Sequence, residues 1–154
     1  MERDRPQPRS ESQGRLFRAR LDELQPSQLY ICEEKLASVL ASVQAGGRSL
    51  EPLPLFRFRD RLVLSDGHTR GVAAHLLGIA EVPAFWEEEE LDWEAYAICV
   101  DWCLGEGVRS IGDLAGRIVP GRDYGRLWIE RCAAMHRDLA SKRLRQEKGG
   151  EEVV

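Results

Sequence analysis

The stretch from Phe56 to Gly78 constrains the fold most. Phe56-Arg57-Phe58-Arg59-Asp60-Arg61-Leu62-Val63-Leu64 alternates apolar and charged side chains, the two-residue period of a strand with one buried face. Asp60-Arg61 interrupts it with a tight turn, so the stretch reads as a hairpin. Ser65-Asp66-Gly67-His68-Thr69-Arg70 follows, and then Val72, Ala73, Leu76 and Leu77 fall at helical spacing up to Gly78. A buried strand therefore runs through a glycine corner into a helix. The first N–H groups of a helix have no partner within it, and the helix dipole is positive there, so such a corner suits an anion. His68 and Arg70 would add donors and charge in the first turn. A cap alone explains Asp66, and a turn alone explains Gly67. Asp, His, Thr and Arg within five residues are more than capping needs, and they suggest a phosphate-bearing ligand such as a nucleotide.

Asp66-Gly67-His68-Thr69-Arg70, followed by Ala73-Ala74 and Leu77-Gly78, resembles the phosphate-binding motif of the ParB/sulfiredoxin superfamily. It is most similar to the Asp-Gly-His-x-Arg form of ParB-like free-serine kinases, and the resemblance spans Phe17 to Trp86. The resemblance implies a small mixed α/β sheet domain. It implies that Gly67, His68, Thr69 and Arg70 hold the phosphates of ATP or ADP, or of CTP, with Mg²⁺. Asp66 and His68 would serve the chemistry, and the acceptor would be a small hydroxyl compound such as free serine. In those kinases a carboxylate after the first proline turn is the acid/base. That turn is Gln25-Pro26-Ser27-Gln28 here, and the matching position is Gln28, a neutral amide that accepts no proton. Gln28 is then a substrate-side residue, and Glu33 or Glu34, at the start of the next helix, is the candidate replacement. The alternative function is a non-enzymatic, partition-type nucleotide-binding regulator. Sulfiredoxin chemistry is excluded, because it needs a cysteine nucleophile where this chain has His68.

In chain order, residues 1–14 are polar and arginine-rich with two prolines, and read as a disordered basic tail. Leu16 to Leu21 alternates as a first strand. Leu24 to Ser27 is a turn, and Leu29-Tyr30-Ile31 an extended link. Leu36, Val39, Leu40 and Val43 mark a helix ended by Gly46-Gly47. Pro52 and Pro54 place the second strand, Leu55 to Phe58, at a sheet edge or at the start of its pairing. Val82 to Trp86 reads as the last strand. Residues 15–88 thus form the α/β domain with a mixed sheet. Residues 89–146 form a helical extension packed on it, and 147–154 a frayed end. The acidic run from Glu87 to Glu94 suits a helix N-terminus. Trp93, Tyr96, Ala97, Val100 and Leu104 share one helical face. Ser110-Ile111-Gly112-Asp113 is a capping box opening a helix to about Val119, and a last helix runs from Tyr124 to about Arg145. Among the aromatic residues, Trp86 is the candidate for a substrate wall, because it ends a strand where the helices begin.

With 154 residues the chain holds one real core. No apolar run reaches membrane length, and no apolar segment follows the charged N-terminus, so a cytoplasmic location with reduced thiols is expected. Cys32, Cys99, Cys103 and Cys132 offer no metal-binding spacing, and no metal site is expected. The net charge of −4 gives no general attraction to nucleic acid. Residues 110–137 have helix-turn-helix spacing, but the second helix would present Leu127, Trp128 and Ile129, which argues against DNA reading.

Overall fold

The computed structural model describes residues 15–153. The basic tail expected over residues 1–14 lies outside the described residues. The protein is a mixed α/β fold. Strands β1 (Phe17–Arg20), β2 (Leu24–Gln25), β4 (Leu53–Phe58), β5 (Arg61–Leu64) and β6 (Glu81–Trp86) form one sheet in the order β1-β6-β4-β5-β2. The β1–β6 and β4–β5 pairs are antiparallel, whereas β4–β6 and β2–β5 are parallel. Two short strands, β3 (Ile31–Cys32) and β7 (Ile118–Val119), make a separate parallel pair. The helices are α1 (Glu33–Ala45), α2 (His68–Leu76), α3 (Trp93–Gly105), α4 (Ile111–Leu114), α5 (Gly121–Tyr124) and α6 (Glu130–Val153). A π-helical turn, Gly125–Ile129, joins the last two.

Both sheet faces are covered. Leu53, Leu55 and Leu64 join Leu36 of α1 and Val72 and Ala73 of α2 in the main core. On the other face Phe56, Phe58 and Val63 meet Val100, with Trp93 and Tyr96 of α3 packed against them. The charged residues of the alternating stretch therefore gather at and beside the hairpin turn, and β4 is buried at five of its six positions, Arg57 being the exception. Phe56 sits at the centre of an aromatic cluster, with ring centroids 5.2 Å from Trp93 and 5.5 Å from Tyr96.

Several expectations shift by a residue or more, each for a tertiary reason. The hairpin turn falls on Arg59–Asp60, with φ of 51° and 61°, because Phe58 pairs with Arg61 and a two-residue turn of this hand needs positive φ at both positions. Leu24–Gln25, expected within a turn, extends along the free edge of β5 and becomes β2. The proline-flanked strand β4 is central, and its pairing to β6 begins at Leu53 and Pro54. β6 is not the last strand. Ile118 and Val119, expected at a helix end, instead pair with β3, and α4 stops at Leu114 although its Ser110–Asp113 capping box forms as read. The link at Ile31 becomes β3 by the same pairing.

The acidic run serves α3 only at its end: Asp92 is the N-cap, accepting from the Ala95 N–H at 3.2 Å. Glu87 instead continues β6, its N–H donating to the Leu55 carbonyl. The last helix runs to Val153, past the expected end near Arg145 and the frayed end, because Ser141 to Lys148 are mostly strong helix formers. It is tied back to the start of α3 by Arg143 with Asp92 and Glu94, and by Lys142 with Glu94. Arg143 holds the Asp92 carboxyl below its ordinary range, and Lys142 with Arg143 does the same for Glu94. These groups are largely exposed, so the ties orient the helix more than they stabilise it. The buried contacts are Trp128, Met135 and Leu139.

Asp60 holds a positive φ that glycine adopts without strain. Asp60→Gly is expected to raise unfolding free energy by about 0.5 kcal/mol. Urea denaturation would show this as a higher midpoint at an unchanged slope.

Candidate functional site

The corner between β5 and α2 is fixed from both sides. The Ser65 N–H donates to the Pro54 carbonyl at 3.1 Å, and the Tyr96 hydroxyl donates to the Ser65 carbonyl at 2.9 Å. The Ser65 hydroxyl donates to Glu87 at 3.0 Å. Asp66 is exposed, and its Oδ1 accepts the Gly67 N–H at 2.8 Å. It caps its own turn rather than the helix. Gly67 has φ of 79°, and a Cβ there would lie 2.9 Å from both Arg70 Nη2 and Leu53 Cδ2. The positive φ favours glycine here, and any side chain would have to displace the ends of Arg70 and Leu53.

The helix then starts at His68, and no side chain caps it. Its first internal bond is Gly71 N–H to Gly67 carbonyl, so the N–H groups of His68, Thr69 and Arg70 have no partner in the helix. Arg70 does not reach out over them. Its Nη1 donates to the carbonyls of Glu51 and Pro52, at 3.2 and 2.9 Å, and clamps the approach to β4 against the glycine corner.

His68 is 4% exposed, and its Nε2 accepts the Ser27 N–H at 2.9 Å. Burial lowers its pKa to about 4, against a smaller opposing effect of the Asp66 charge. The ring is therefore neutral at pH 7, with its proton on Nδ1. The positive charge expected of His68 is absent because the ring is out of water. It joins two segments that the sequence separates by forty residues. The Ser27 hydroxyl donates to the Leu64 carbonyl at 2.8 Å and completes this junction. Gln25 anchors the same turn by donating to the Pro26 and Val108 carbonyls, each at 2.9 Å.

Three clefts surround the corner. Beside Thr69 the walls are Glu34, Lys35, Ser38 and Val39 of α1. Glu34, not Glu33, lines this space. The backbone N–H of Glu34 itself and the Cys32 thiol, 3.3 Å away, hold its carboxyl below the usual range. Glu33 is exposed at the first helical position. A second cleft joins Asp66 and Arg70 to Phe85 and to Glu87, Glu88 and Glu89. A third, of about 200 Å³, opens where Ser27, Gln28 and His68 meet Tyr96, Trp128 and Met135 of the helical extension. Gln28 is oriented in it by donating to the Tyr30 carbonyl at 2.8 Å and the Tyr124 hydroxyl at 3.2 Å.

Trp86 is not brought to these residues. Its ring stacks on Phe17 at 4.9 Å, with the Arg57 guanidinium 5.7 Å away, and its neighbour Phe85 lines the cleft at Asp66 instead. Strand alternation puts these two neighbours on opposite faces. Ser27 carried no signal in the sequence, since it acts through contacts with remote segments, whereas Tyr96 and Trp128 were legible only as aromatic residues expected mainly to pack the core. Among the described residues, no group of three or more His, Cys, Asp or Glu side chains is arranged to hold a metal ion. Nor is any helix there long and apolar enough to cross a membrane.

No protein-family profile matches the chain. No curated protein matches it either. Two of the solved structures that are similar to it in part illustrate the likeness. Protein Atu1540 from Agrobacterium tumefaciens is 18% identical with a TM-score of 0.44, over 65% of this chain and 61% of that one. The C-terminally truncated chromosome-partitioning protein ParB from Caulobacter crescentus, complexed with CTP-gamma-S, is 21% identical with a TM-score of 0.41, over 62% of this chain and 53% of that one. The match thus spans about three fifths of the first of these chains and about half of the second.

The His68 geometry fixes a sign for pH dependence. Its folded pKa of about 4 lies below the unfolded value of 6.5, so the unfolded chain binds the extra proton between these limits. Stability from this group is complete above pH 6.5 and is lost as pH falls toward 4, by on the order of 3 kcal/mol in all. Asp92, Glu94 and Glu34 act in the same direction only below their ordinary values, 3.8 for Asp92 and 4.5 for the two glutamates. Chemical denaturation between pH 4.5 and 7 isolates the histidine. The wild type should gain stability across this window, and His68→Gln, which keeps an acceptor for Ser27, should show a nearly flat profile.

Proposed function

We propose that the chain is a ParB/sulfiredoxin-type protein that binds a nucleotide with its phosphates at the start of α2. The observation that carries this reading is the corner itself. A glycine in the left-handed region leads into a helix whose first three N–H groups have no partner within it, with Lys35 and Thr69 beside them. The backbone N–H groups of His68, Thr69 and Arg70 would take phosphate oxygens, and the Lys35 ammonium would offset their charge.

The activity we assign is transfer of a phosphoryl group to a small hydroxyl compound such as free serine. Such transfer needs positioning and charge neutralisation more than covalent work by the protein. The acceptor hydroxyl must lose a proton, and Glu34 is the carboxylate placed on the Thr69 cleft to receive it. ATP, ADP and CTP are the candidate donors, with Mg²⁺ accompanying the phosphates. One observation favours the second reading, a nucleotide-responsive regulator. The position expected to hold the acid/base is Gln28, and its amide is committed to Tyr30 and Tyr124.

Calorimetric titration with ATP, ADP and CTP, each with and without Mg²⁺, tests the site, and phosphorus NMR in the presence of free serine tests the transfer. One nucleotide should bind, and Lys35→Ala should weaken it by about tenfold. Phosphoserine should accumulate with the wild type and not with Glu34→Gln. Binding without any phosphoserine supports the regulator. Binding of none of the three would reduce the Asp66–Arg70 corner to a structural turn.

A further inference from the structure

The cleft of about 200 Å³ between the sheet and the helical extension is bordered by two polar groups that lack a partner. The first is on His68, which is 4% exposed. Its Nε2 accepts the Ser27 N–H, so the ring's proton is on Nδ1, and that N–H has no hydrogen-bond partner among the described residues. No polar side-chain atom sealed from solvent lacks a partner among them, so this N–H is accessible, and the cleft is the open space that the ring borders. The second is on Gln28. Its Nε2 donates to the Tyr30 carbonyl and the Tyr124 hydroxyl, which uses both amide hydrogens and leaves Oε1 with no donor among the described residues. The other polar groups of the inner walls are committed: the Ser27 hydroxyl to the Leu64 carbonyl, the Ser65 hydroxyl to Glu87, and the Tyr96 hydroxyl to the Ser65 carbonyl. Asp92 stands exposed at the mouth, held by Arg143 and by the Ala95 N–H.

We propose that this cleft binds a small, neutral, single-ring lactam, whose carbonyl accepts from His68 Nδ1–H and whose N–H donates to Gln28 Oε1. One donor and one acceptor without partners on the sheet side match the two groups that a lactam presents along one edge. The facing walls are apolar, with the rings of Tyr96 and Trp128 and the thioether of Met135, and suit a flat ring. Trp128 is delivered there by the π-helical turn Gly125–Ile129, a distortion that gathers at functional sites. Size limits the ligand to one ring: a cavity of about 150 Å³ holds benzene. Charge is limited too. A carboxylate would find a single donor and no counter-charge on the inner walls, and an ammonium a single acceptor, so burying either would be costly.

In the free protein, water is the partner of the two groups, and a lactam edge replaces it without leaving either unpaired while the ring covers apolar wall. Nothing in this depends on the nucleotide reading. The cleft at Thr69 is walled by other residues, and neither Lys35 nor Glu34 reaches this one.

The chain has two methionines, Met1 and Met135, so a methyl-labelled sample reports on the cleft through one NMR signal, assigned with Met135→Leu. The full chain is titrated with 2-pyridone, N-methyl-2-pyridone and toluene. The Met135 methyl signal should shift saturably with 2-pyridone, with a Kd on the order of 1 mM. N-methyl-2-pyridone, which lacks the donor, and toluene, which lacks both groups, should each bind about tenfold more weakly. Gln28→Met should weaken 2-pyridone by about the same factor and leave N-methyl-2-pyridone unchanged, whereas a merely structural role would weaken both alike. The three ligands on the wild type decide the matter even if that variant does not fold. No saturable shift of Met135 up to about 20 mM 2-pyridone would overturn the proposal. So would equal binding of all three ligands, which would make the cleft an apolar hole without polar recognition. Because the probes carry no phosphate and the reporter is Met135, such a failure leaves the nucleotide titrations to be judged by themselves.

Discussion

The bond from the Ser27 N–H to His68 Nε2 is the constraint on which the rest of the site depends. A polar ring sealed from water needs partners, and a buried N–H left unpaired would cost about 1–3 kcal/mol. Their pairing satisfies both groups and fixes the turn after β2 against the first residue of α2. From that junction the geometry propagates. Ser27 also reaches the end of β5, Gln25 reaches Val108 beyond α3, and Gln28 is left facing the cleft between the sheet and the helical extension. The histidine acts here as a neutral structural acceptor. Its position in the motif shows what residue type the corner contains, and only its burial decides what that residue does.

The glycine corner works with this junction. Gly67 is confined by Leu53 from the central strand and by the Arg70 side chain, so the helix start is pressed against the sheet. Arg70 is drawn back to the carbonyls of Glu51 and Pro52, which satisfies acceptors at the approach to β4 and leaves the backbone N–H groups as the donors at the helix start. Charge near them comes from another element: Lys35 lies in the first turn of α1, and α1 packs along α2. On the far side of Asp66 the cleft is acidic, with Glu87, Glu88 and Glu89. An anion would meet repulsion there, which makes the α1 side the electrostatically favoured approach.

The helical extension is part of the site rather than an appendage. Tyr96 donates to Ser65 within the corner, and Trp93 and Tyr96 cover Phe56 on the second sheet face. Trp128, within the π-helical turn, and Met135, beyond it, close the cleft over Gln28 and His68. A π-helical turn carries one extra residue per turn and rotates the side chains that follow it. It stands directly before α6, where Cys132, Met135 and Leu139 turn inward.

Elements with local signals are legible in the chain alone. The hairpin of β4 and β5, α1 up to its glycines, the glycine corner into α2, the capping box at Ser110 and the aromatic face of α3 all follow from side-chain period and cap chemistry within a few residues. Tertiary structure decided what depends on pairing between remote segments. Leu24–Gln25 became a strand only because β5 offers a free edge, and Ile118–Val119 did so only because Ile31–Cys32 lies beside them. The same division runs through the candidate site. Residues 66 to 70 were legible as a motif because a strand, a glycine and a helix follow one another directly. Whether His68 is charged, whether Glu33 or Glu34 lines the cleft at Thr69, and whether Trp86 or Phe85 borders Asp66 depend on burial and strand facing. Those are properties of the packed chain, set by which surfaces lose water together.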